Sequence, residues 1–233
     1  MIALGTSNKS ARTEAVEDYL TAIWRLGGRG AVGTSALARA LDVAAPSATE
    51  MLRRLAEQRL VRYQPYRGVE LTAGGRRIAL RVIRAHRLVE LFLAQILGLS
   101  WERVHEEAHR WEHVVSEEAL ERIAVALGDP TADVHGHPIP ASDGSLPESH
   151  DLPLAELRAG QSAAVTQVSD HSPELLRYLA DLGLRPGVRL TLIGADPFGG
   201  SLELKIGGRR RRIGVEAVGF VRVRPTPNPA VRG

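Results

Sequence analysis

At 233 residues and 25.2 kDa the chain is long for one average domain and short for two full ones, and its 44% hydrophobic and 24% charged residues exclude a disordered chain. It has no cysteine against eight histidines, which removes disulfides, zinc–thiolate fingers, iron–sulfur clusters and thiol catalysis, so any metal is held by nitrogen and oxygen. The formal net charge of +3 comes from basic excesses in residues 1–75 and 151–233, while residues 128–150 carry four acids and no Lys or Arg; this admits a nucleic-acid partner and equally an ordinary arginine-rich surface.

In chain order, Met1 to Arg12 is polar and lacks the apolar run of a secretion signal, which points to the cytoplasm. From Glu14 the apolar positions Val16, Leu20, Ile23, Trp24 and Leu26 recur at helical spacing until Gly27-Gly28. A second short helix is predicted behind Thr34-Ser35, a capping signal, with Ala36, Leu37, Ala40 and Leu41 as its apolar positions. A third starts around Pro46 and buries Met51, Leu52, Leu55, Leu60 and Val61. Two short helices about four residues apart fit a helix-turn-helix, and Val61 to Thr72 reads as two strands around a Pro/Gly turn, the wing of a winged helix.

Arg76 to Leu127 is helical in pattern, broken at Gly98 and restarting near Ser100-Trp101. Its longest apolar stretch, Leu88 to Leu99, is interrupted by Glu90 and Gln95 and is too short to span a bilayer. Gly128 to Leu152, rich in glycine, proline and turn residues, reads as a connecting segment. Ala163–Val168, Val188–Ile193, Leu202–Ile206 and Phe220–Val223 then read as strands, with a helix over Pro173–Leu182 and a hairpin at Gly207-Gly208. A small barrel and a loose Pro-rich tail are expected there.

The histidines are unevenly placed: none precedes His86, and His86, His105, His109 and His113 fall close together. On a helix beginning near Trp101, His105, His109, Glu112 and His113 project within an arc of about 100°. Trp101, Val104, Ala108, Trp111 and Val115 occupy the neighbouring arc, so one side packs and the next offers imidazoles and a carboxylate. His86 and Glu90 share a face at i and i+4. Two such stripes can hold a divalent ion, or the histidines can simply pair with nearby glutamates on the surface. His105-Glu106-Glu107-Ala108-His109 also satisfies H-E-x-x-H, the zinc-peptidase helix, but Glu112 and Val115 stand where the longer metzincin form needs Gly and His. The peptidase is kept as a remote alternative, beside a metal-storage protein without DNA affinity.

The run Val104 to Val114, with His86-Arg87-Leu88-Val89-Glu90, Glu17-Asp18-Tyr19-Leu20 and Gly136-His137-Pro138-Ile139-Pro140, resembles the diphtheria toxin repressor family of metal-dependent transcription regulators, which includes the manganese transport regulators. The resemblance implies a mainly α chain with a small β-barrel. Its divisions are a winged helix-turn-helix (residues 1–75), a helical metal-binding and dimerisation domain (76–140), a linker (141–151), an SH3-like barrel similar to ferrous-transport accessory domains (152–225), and a tail (226–233). It implies a principal metal site from Asp18, His109, Glu112 and His113. His86 joins that site in manganese-type members; in iron-type members it belongs to an ancillary site with Glu90 and His105, to which the barrel can lend His171 or Glu174.

His109 stands where iron-type members carry Cys and manganese-type members Glu, Asp18 replaces a Met of the iron type, and Thr21 replaces a second-site Glu of some manganese-type members. The carboxylate of Asp18 in place of a Met favours a harder ion, so Mn(II) is expected ahead of Fe(II), with Zn(II), Co(II), Ni(II) or Cd(II) as possible substitutes. The expected partners are palindromic double-stranded DNA and a second copy of the chain, with no membrane, no small-molecule substrate and no enzymatic activity. Ala44, Ala45, Ser47, Thr49, Glu50 and Arg53 would face the groove, and Arg54, Arg62, Tyr66 and Arg67 would reach phosphates. The run Arg209 to Arg212 reads as a polar barrel surface.

Overall fold

A computed structural model describes residues 5–27, 30–148, 150–170, 172–196 and 199–226. The chain divides into two compact units, one of Met1–His86, Arg110–Ser116 and Pro140–Ser145, the other of Arg87–His109, Glu117–Ile139 and Leu146–Gly233.

The first unit opens with α1 (Gly5–Gly27), followed by α2 (Thr34–Ala40), α3 (Ala45–Glu57), a hairpin of β1 (Val61–Gln64) and β2 (Gly68–Leu71), and the start of α4 (Ala73–Gln95). α1 begins well before Glu14, because a helix nucleated by its packed half extends at little cost into a polar segment that shows no apolar period. Its packed half buries Leu20 and Ile23 against Leu37, Leu52, Leu55, Val61 and Val69. α2 is capped by Gly33 without a side-chain bond, so Thr34-Ser35 lies inside the helix and does not cap it. α3 starts behind Ala44 with Pro46 in its first turn, where the missing N–H costs nothing, and buries Ala48, Leu52 and Leu55 on one face. Met51 and Leu60 are only partly buried.

The hairpin pairs Val61 with Leu71 and Gln64 with Gly68. Val32 adds a bridge to Val69 through two 2.9 Å backbone bonds. At the tip Tyr66 takes a left-handed backbone, φ 67°, and is fully exposed. Thr72 then caps α4 by accepting the Gly75 N–H at 3.2 Å. Gly75 is required there, since a β-carbon would strike the Leu60 carbonyl.

The second unit holds the rest of α4, α5 (Val104–Trp111), α6 (Glu117–Ala126), β3 (Leu152–Pro153), β4 (Ser162–Val168), α7 (Pro173–Leu182), β5 (Arg189–Ala195), β6 (Ser201–Ile206), β7 (Arg209–Gly214), α8 (Val215–Val218) and β8 (Val221–Thr226). The strands form one antiparallel sheet in the order β3-β8-β4-β5-β6-β7. The expected closed barrel is therefore corrected to an open six-stranded sheet: among the described residues no ladder joins β7 to β3. Bulges between Val165 and Gln167 and between Leu192 and Gly194 bend it, and the core of Val165, Leu176, Leu179, Leu190, Leu204 and Val223 fills its concavity. α7 is capped by Ser172, which accepts the Leu175 N–H at 3.1 Å, and ends at Gly183 with φ 80°. β8 continues through Thr226; the rest of the expected tail lies outside the described residues.

Turn composition makes Gly128 to Leu152 look like a connector, yet its first half is folded. Ala132 bridges Pro138, Asp133, His135 and Ile139 are buried, and the His135 carbonyl accepts the Val168 N–H at 2.9 Å. Gly136, φ 86°, lets this loop lie against β4, where a β-carbon would strike the Thr166 carbonyl. No helix among the described residues is long and apolar enough to cross a membrane.

Leu52 is fully buried where α3 meets α1 and the hairpin. Leu52→Ala is expected to cost about 2–5 kcal/mol in chemical unfolding.

Candidate metal centre

In the first unit three acidic side chains converge on one imidazole. His113 Nδ1 donates to Glu17 Oε2 at 2.6 Å, and Nε2 lies 3.1 Å from Asp18 Oδ1 and 3.3 Å from Glu112 Oε1. Asp18 and His113 are 95 positions apart in sequence. α1 supplies Glu17 and Asp18, while Glu112 and His113 come from the turn that continues α5, held by bonds from the Val114 and Val115 N–H groups to the Trp111 carbonyl. Asp18, Glu112 and His113 each offer a ligand atom within 4.8 Å of the others. Glu112 is buried and also meets His86 Nδ1 at 2.5 Å. His109 is exposed on α5, one turn before His113 on the same helical face.

Glu17 was not singled out as a site residue from the sequence, yet it is buried, accepts from His113 and is anchored by Arg81 at 2.7 Å. A carboxylate on Nδ1 is the arrangement that turns the Nε2 lone pair of a histidine toward a metal. The signal in sequence was its position beside Asp18 on one helical turn. Thr21, one turn further along α1, is buried.

In the second unit His105 Nδ1 lies 3.0 Å from Glu90 Oε1 and 3.3 Å from Asp170 Oδ2. Glu90 is fully buried, and Glu90, His105 and Asp170 offer ligand atoms within 4.8 Å of one another. His86 precedes Glu90 by one turn of α4. The sheet domain's contribution is therefore Asp170, just past the end of β4. Glu174, expected from sequence, is instead on the exposed face of α7, paired with Arg177 at 2.9 Å, because the turn at Ser172 starts a helix that carries it away. His171 lies outside the described residues. His105 and His109 of the H-E-x-x-H match share no donor group among the described residues, so the peptidase geometry is not assembled.

A further group, Asp133, His135 and His137, sits in the folded loop after α6. Burial alone would lower the pKa of His135, but a hydrogen bond and charge from Glu90, with Asp133 and Asp170 adding, raise it instead.

In the first unit a cavity of about 590 Å³ between α3 and the hairpin is lined by Ala45, Thr49, Arg53, Tyr63, Tyr66 and Arg67, with the start of α2 at its rim. Of the residues expected to meet DNA, Ala44, Ser47, Glu50 and Arg62 are exposed outside this cavity, and Arg54 is partly buried. Tyr63 joins the cavity lining because the hairpin alternation turns it there, an orientation not assigned from sequence.

Family models described as the iron dependent repressor N-terminal DNA binding domain, the iron dependent repressor metal binding and dimerisation domain, and the FeoA domain match residues 12–69, 72–141 and 152–225. The chain is 36% identical over 200 residues to the iron-dependent repressor IdeR of Mycobacterium tuberculosis, covering 80% of this chain and 86% of the relative. It is 32% identical over 191 residues to the diphtheria toxin repressor of Corynebacterium glutamicum, covering 77% and 84%. Among solved structures, a manganese-dependent transcriptional repressor in complex with manganese is 38% identical with a TM-score of 0.85, over 91% of this chain and all of that one. ScaR with bound Zn2+ is 32% identical with a TM-score of 0.78, over 90% and 98%.

Burial alone would lower the pKa of His113, but hydrogen bonds to Asp18 and Glu17 and the charges of Glu112 and Asp18 outweigh it and push it up to about 10. Its folded pKa lies above the ordinary value of 6.5, so protonated His113 stabilises the metal-free fold fully below about pH 6.5, and this contribution is lost as pH rises through about 10. A ligated cation requires the imidazole lone pair and must displace that proton. Titration calorimetry near pH 7.5 in buffers of different ionisation enthalpy should therefore show proton release on Mn(II) binding, with affinity rising about tenfold per pH unit up to pH 9. Pairwise agreement between buffers, with no proton released, would contradict it.

Proposed function

The chain belongs to the diphtheria toxin repressor family of metal-dependent, DNA-binding transcriptional repressors, which are not enzymes, and on that premise we propose that it is a Mn(II)-responsive repressor of metal-uptake genes. Its matched domains bind DNA, and bind metal and dimerise. The observation that carries the proposal is the meeting of Asp18 with Glu112 and His113. Residues from α1 and from the turn after α5 share one partly buried group of negative charge, and a divalent cation there supplies the positive charge that holds them together.

The donor set fits such an ion. Asp18 and Glu112 bring carboxylates and His113 an imidazole with its Nδ1 already engaged by Glu17; His109, one turn away, is proposed as the fourth ligand. With no cysteine in the chain and no methionine in this group, hard and borderline donors favour Mn(II). His86 reaches Glu112 and is assigned to the edge of this centre. Glu90, His105 and Asp170 form the ancillary site, for which the buried Glu90 carboxylate is the anchor. Fe(II) is the second reading, favoured by the identity to iron-dependent repressors over most of the chain.

α1 also forms the core of the DNA-binding unit, since Leu20 and Ile23 pack with Leu52 and Leu55 of α3. Fixing Asp18 therefore restricts the helix against which the recognition helix rests, and a cation with higher affinity for this arrangement raises its population. In a cytoplasmic dimer two such helices would meet successive major grooves of a palindrome. Thr49 and Arg53 reach base edges from α3 and Arg67 and Tyr66 meet phosphates from the wing, with Ala44, Ala45, Ser47, Glu50, Arg54 and Arg62 completing the contact surface. Residues 1–75, 76–140 and 152–225 are taken as the DNA-binding, dimerisation and sheet domains.

Fluorescence anisotropy on promoter DNA tests this. Mn(II) should raise affinity by at least tenfold over the chelated protein, and Glu112→Ala should remove that response while leaving weak, salt-sensitive binding. Unchanged affinity with both Mn(II) and Fe(II) would sink the reading. Arg53→Ala should weaken specific binding by about 1–3 kcal/mol if it reads a base, whereas loss of a phosphate contact lowers the salt slope by about one.

A further inference from the structure

The face of the six-stranded sheet turned away from its core is strongly basic. Alternation along the strands sends Leu190, Leu204, Ile206, Ile213 and Val223 inward, and so turns Arg189, Lys205, Arg210, Arg212, Arg222 and Arg224 outward. The pairing registers set these cations side by side. Lys205 stands opposite Arg210 and Glu203 opposite Arg212, while Ala164 of β4 separates Arg189 of β5 from Arg224 of β8. Those two arginines are thus two strand spacings apart, about 9.5 Å.

Acids do not balance this charge. Among the described residues two carboxylates meet the face: Glu203, 3.4 Å from Arg210, and Asp151, 2.9 Å from Arg224. Arg189, Lys205 and Arg212 are exposed and form no ion pair among the described residues. Even the paired Arg210 and Arg224 keep 71% and 59% of their side-chain surface open, so both retain N–H donors for an outside acceptor. Like charges gathered on one rigid sheet repel one another. A polyanion laid across them relieves that repulsion and releases its own counterions.

The chemistry of the face selects among polyanions. All its cations but Lys205 are arginines, whose planar forks pair with phosphate oxygens in bidentate fashion. No strand of this sheet contains an aromatic residue, so it lacks the stacking platform that holds single-stranded nucleic acid. The positions between the cations are Ser162, Ala164 and Thr191, which offer no apolar anchor for a protein partner. We propose that this face binds the phosphate backbone of duplex DNA, independently of sequence and of metal, through Arg189, Lys205, Arg210, Arg212 and Arg224. The identity of the partner rests on the reading of the chain as a DNA-binding repressor. To that reading the sheet adds a second set of phosphate contacts, outside the winged helix, that raises affinity for any duplex and leaves sequence discrimination to α3.

Fluorescence anisotropy of the full-length chain on a duplex lacking the operator, in chelator and over a salt series, tests the surface. Combining Arg189→Gln, Arg210→Gln and Arg212→Gln should make the slope of log K against log salt shallower by about 2–3, at about 0.9 per lost phosphate contact, and lower low-salt affinity by about tenfold or more. All three side chains are exposed, and circular dichroism should confirm an unchanged fold. The corresponding Lys substitutions keep the charge and should retain most of the parent slope. On promoter DNA the Gln variant should gain affinity with Mn(II) by the same factor as the parent; a parent without any Mn(II) response would overturn the repressor reading and not this surface. A parent-like slope in the Gln variant, or equal losses in the Gln and Lys variants, overturns the surface. So does a Gln variant that binds DNA as the parent does but loses affinity for polyglutamate, which assigns the face to an acidic protein partner.

Discussion

The positive charge demanded by Glu17, Asp18 and Glu112 is the constraint on which the first unit turns. Three carboxylates brought together, two of them buried, strongly disfavour one another's charge unless a counter-charge is present. His113 supplies one as an imidazolium, with Arg81 neutralising the outer side of Glu17. At the proposed metal site a divalent cation would supply a larger one, and it would exclude the proton from the imidazole. Proton and metal would then compete for a single deficit of charge, and the residues that create the deficit come from distant parts of the chain.

What makes this more than a local ligand set is the dual use of α1. Glu17 and Asp18 occupy one side of a helical turn, and Leu20 and Ile23 in the next turn are buried in the core that also holds α3 and the hairpin. Close-packed side chains do not deform smoothly, so a restraint on the polar side of α1 is felt through the apolar side by the helix that presents Thr49 and Arg53. The second unit repeats the theme in a different form. Glu90 is a buried carboxylate on α4 that meets His105 from α5 and His135 from the loop after α6, while Asp170 from the end of β4 reaches the same His105, so four separate pieces of chain share one group.

Much of this was legible before any coordinates. Helical periodicity gave the packed stripe of α5 and its neighbouring donors, and the Pro/Gly turn gave the wing, since both depend on residues close in sequence. His113 and Asp18 could be paired only by resemblance, as no local rule connects positions so far apart. Four features escaped for identifiable reasons. Glu174 sits in a stretch where a cap at Ser172 decides which residues turn outward, and Asp170, just before it, is the one that reaches His105. Glu17 carries no local signal of its own because its burial comes from tertiary packing. The loop at Asp133 was hidden by its composition: glycine and proline suggest a connector, whereas here Gly136 permits the close approach to β4 that buries the histidines. The sheet was expected to close because short strands with hairpin turns suit a barrel, but closure depends on whether the first and last strands meet, which no local pattern encodes.

An open sheet has two edges, and each is an invitation to add a foreign strand. Here one edge is β3, only two residues long and ending in Pro153, which has no N–H to donate. The other is β7, whose first four residues are Arg209, Arg210, Arg211 and Arg212. A second copy offering the same strand would place like charges side by side, and the repulsion opposes edge-to-edge growth into fibres. The arginine run thereby acts as a guard against edge-to-edge stacking of the sheet.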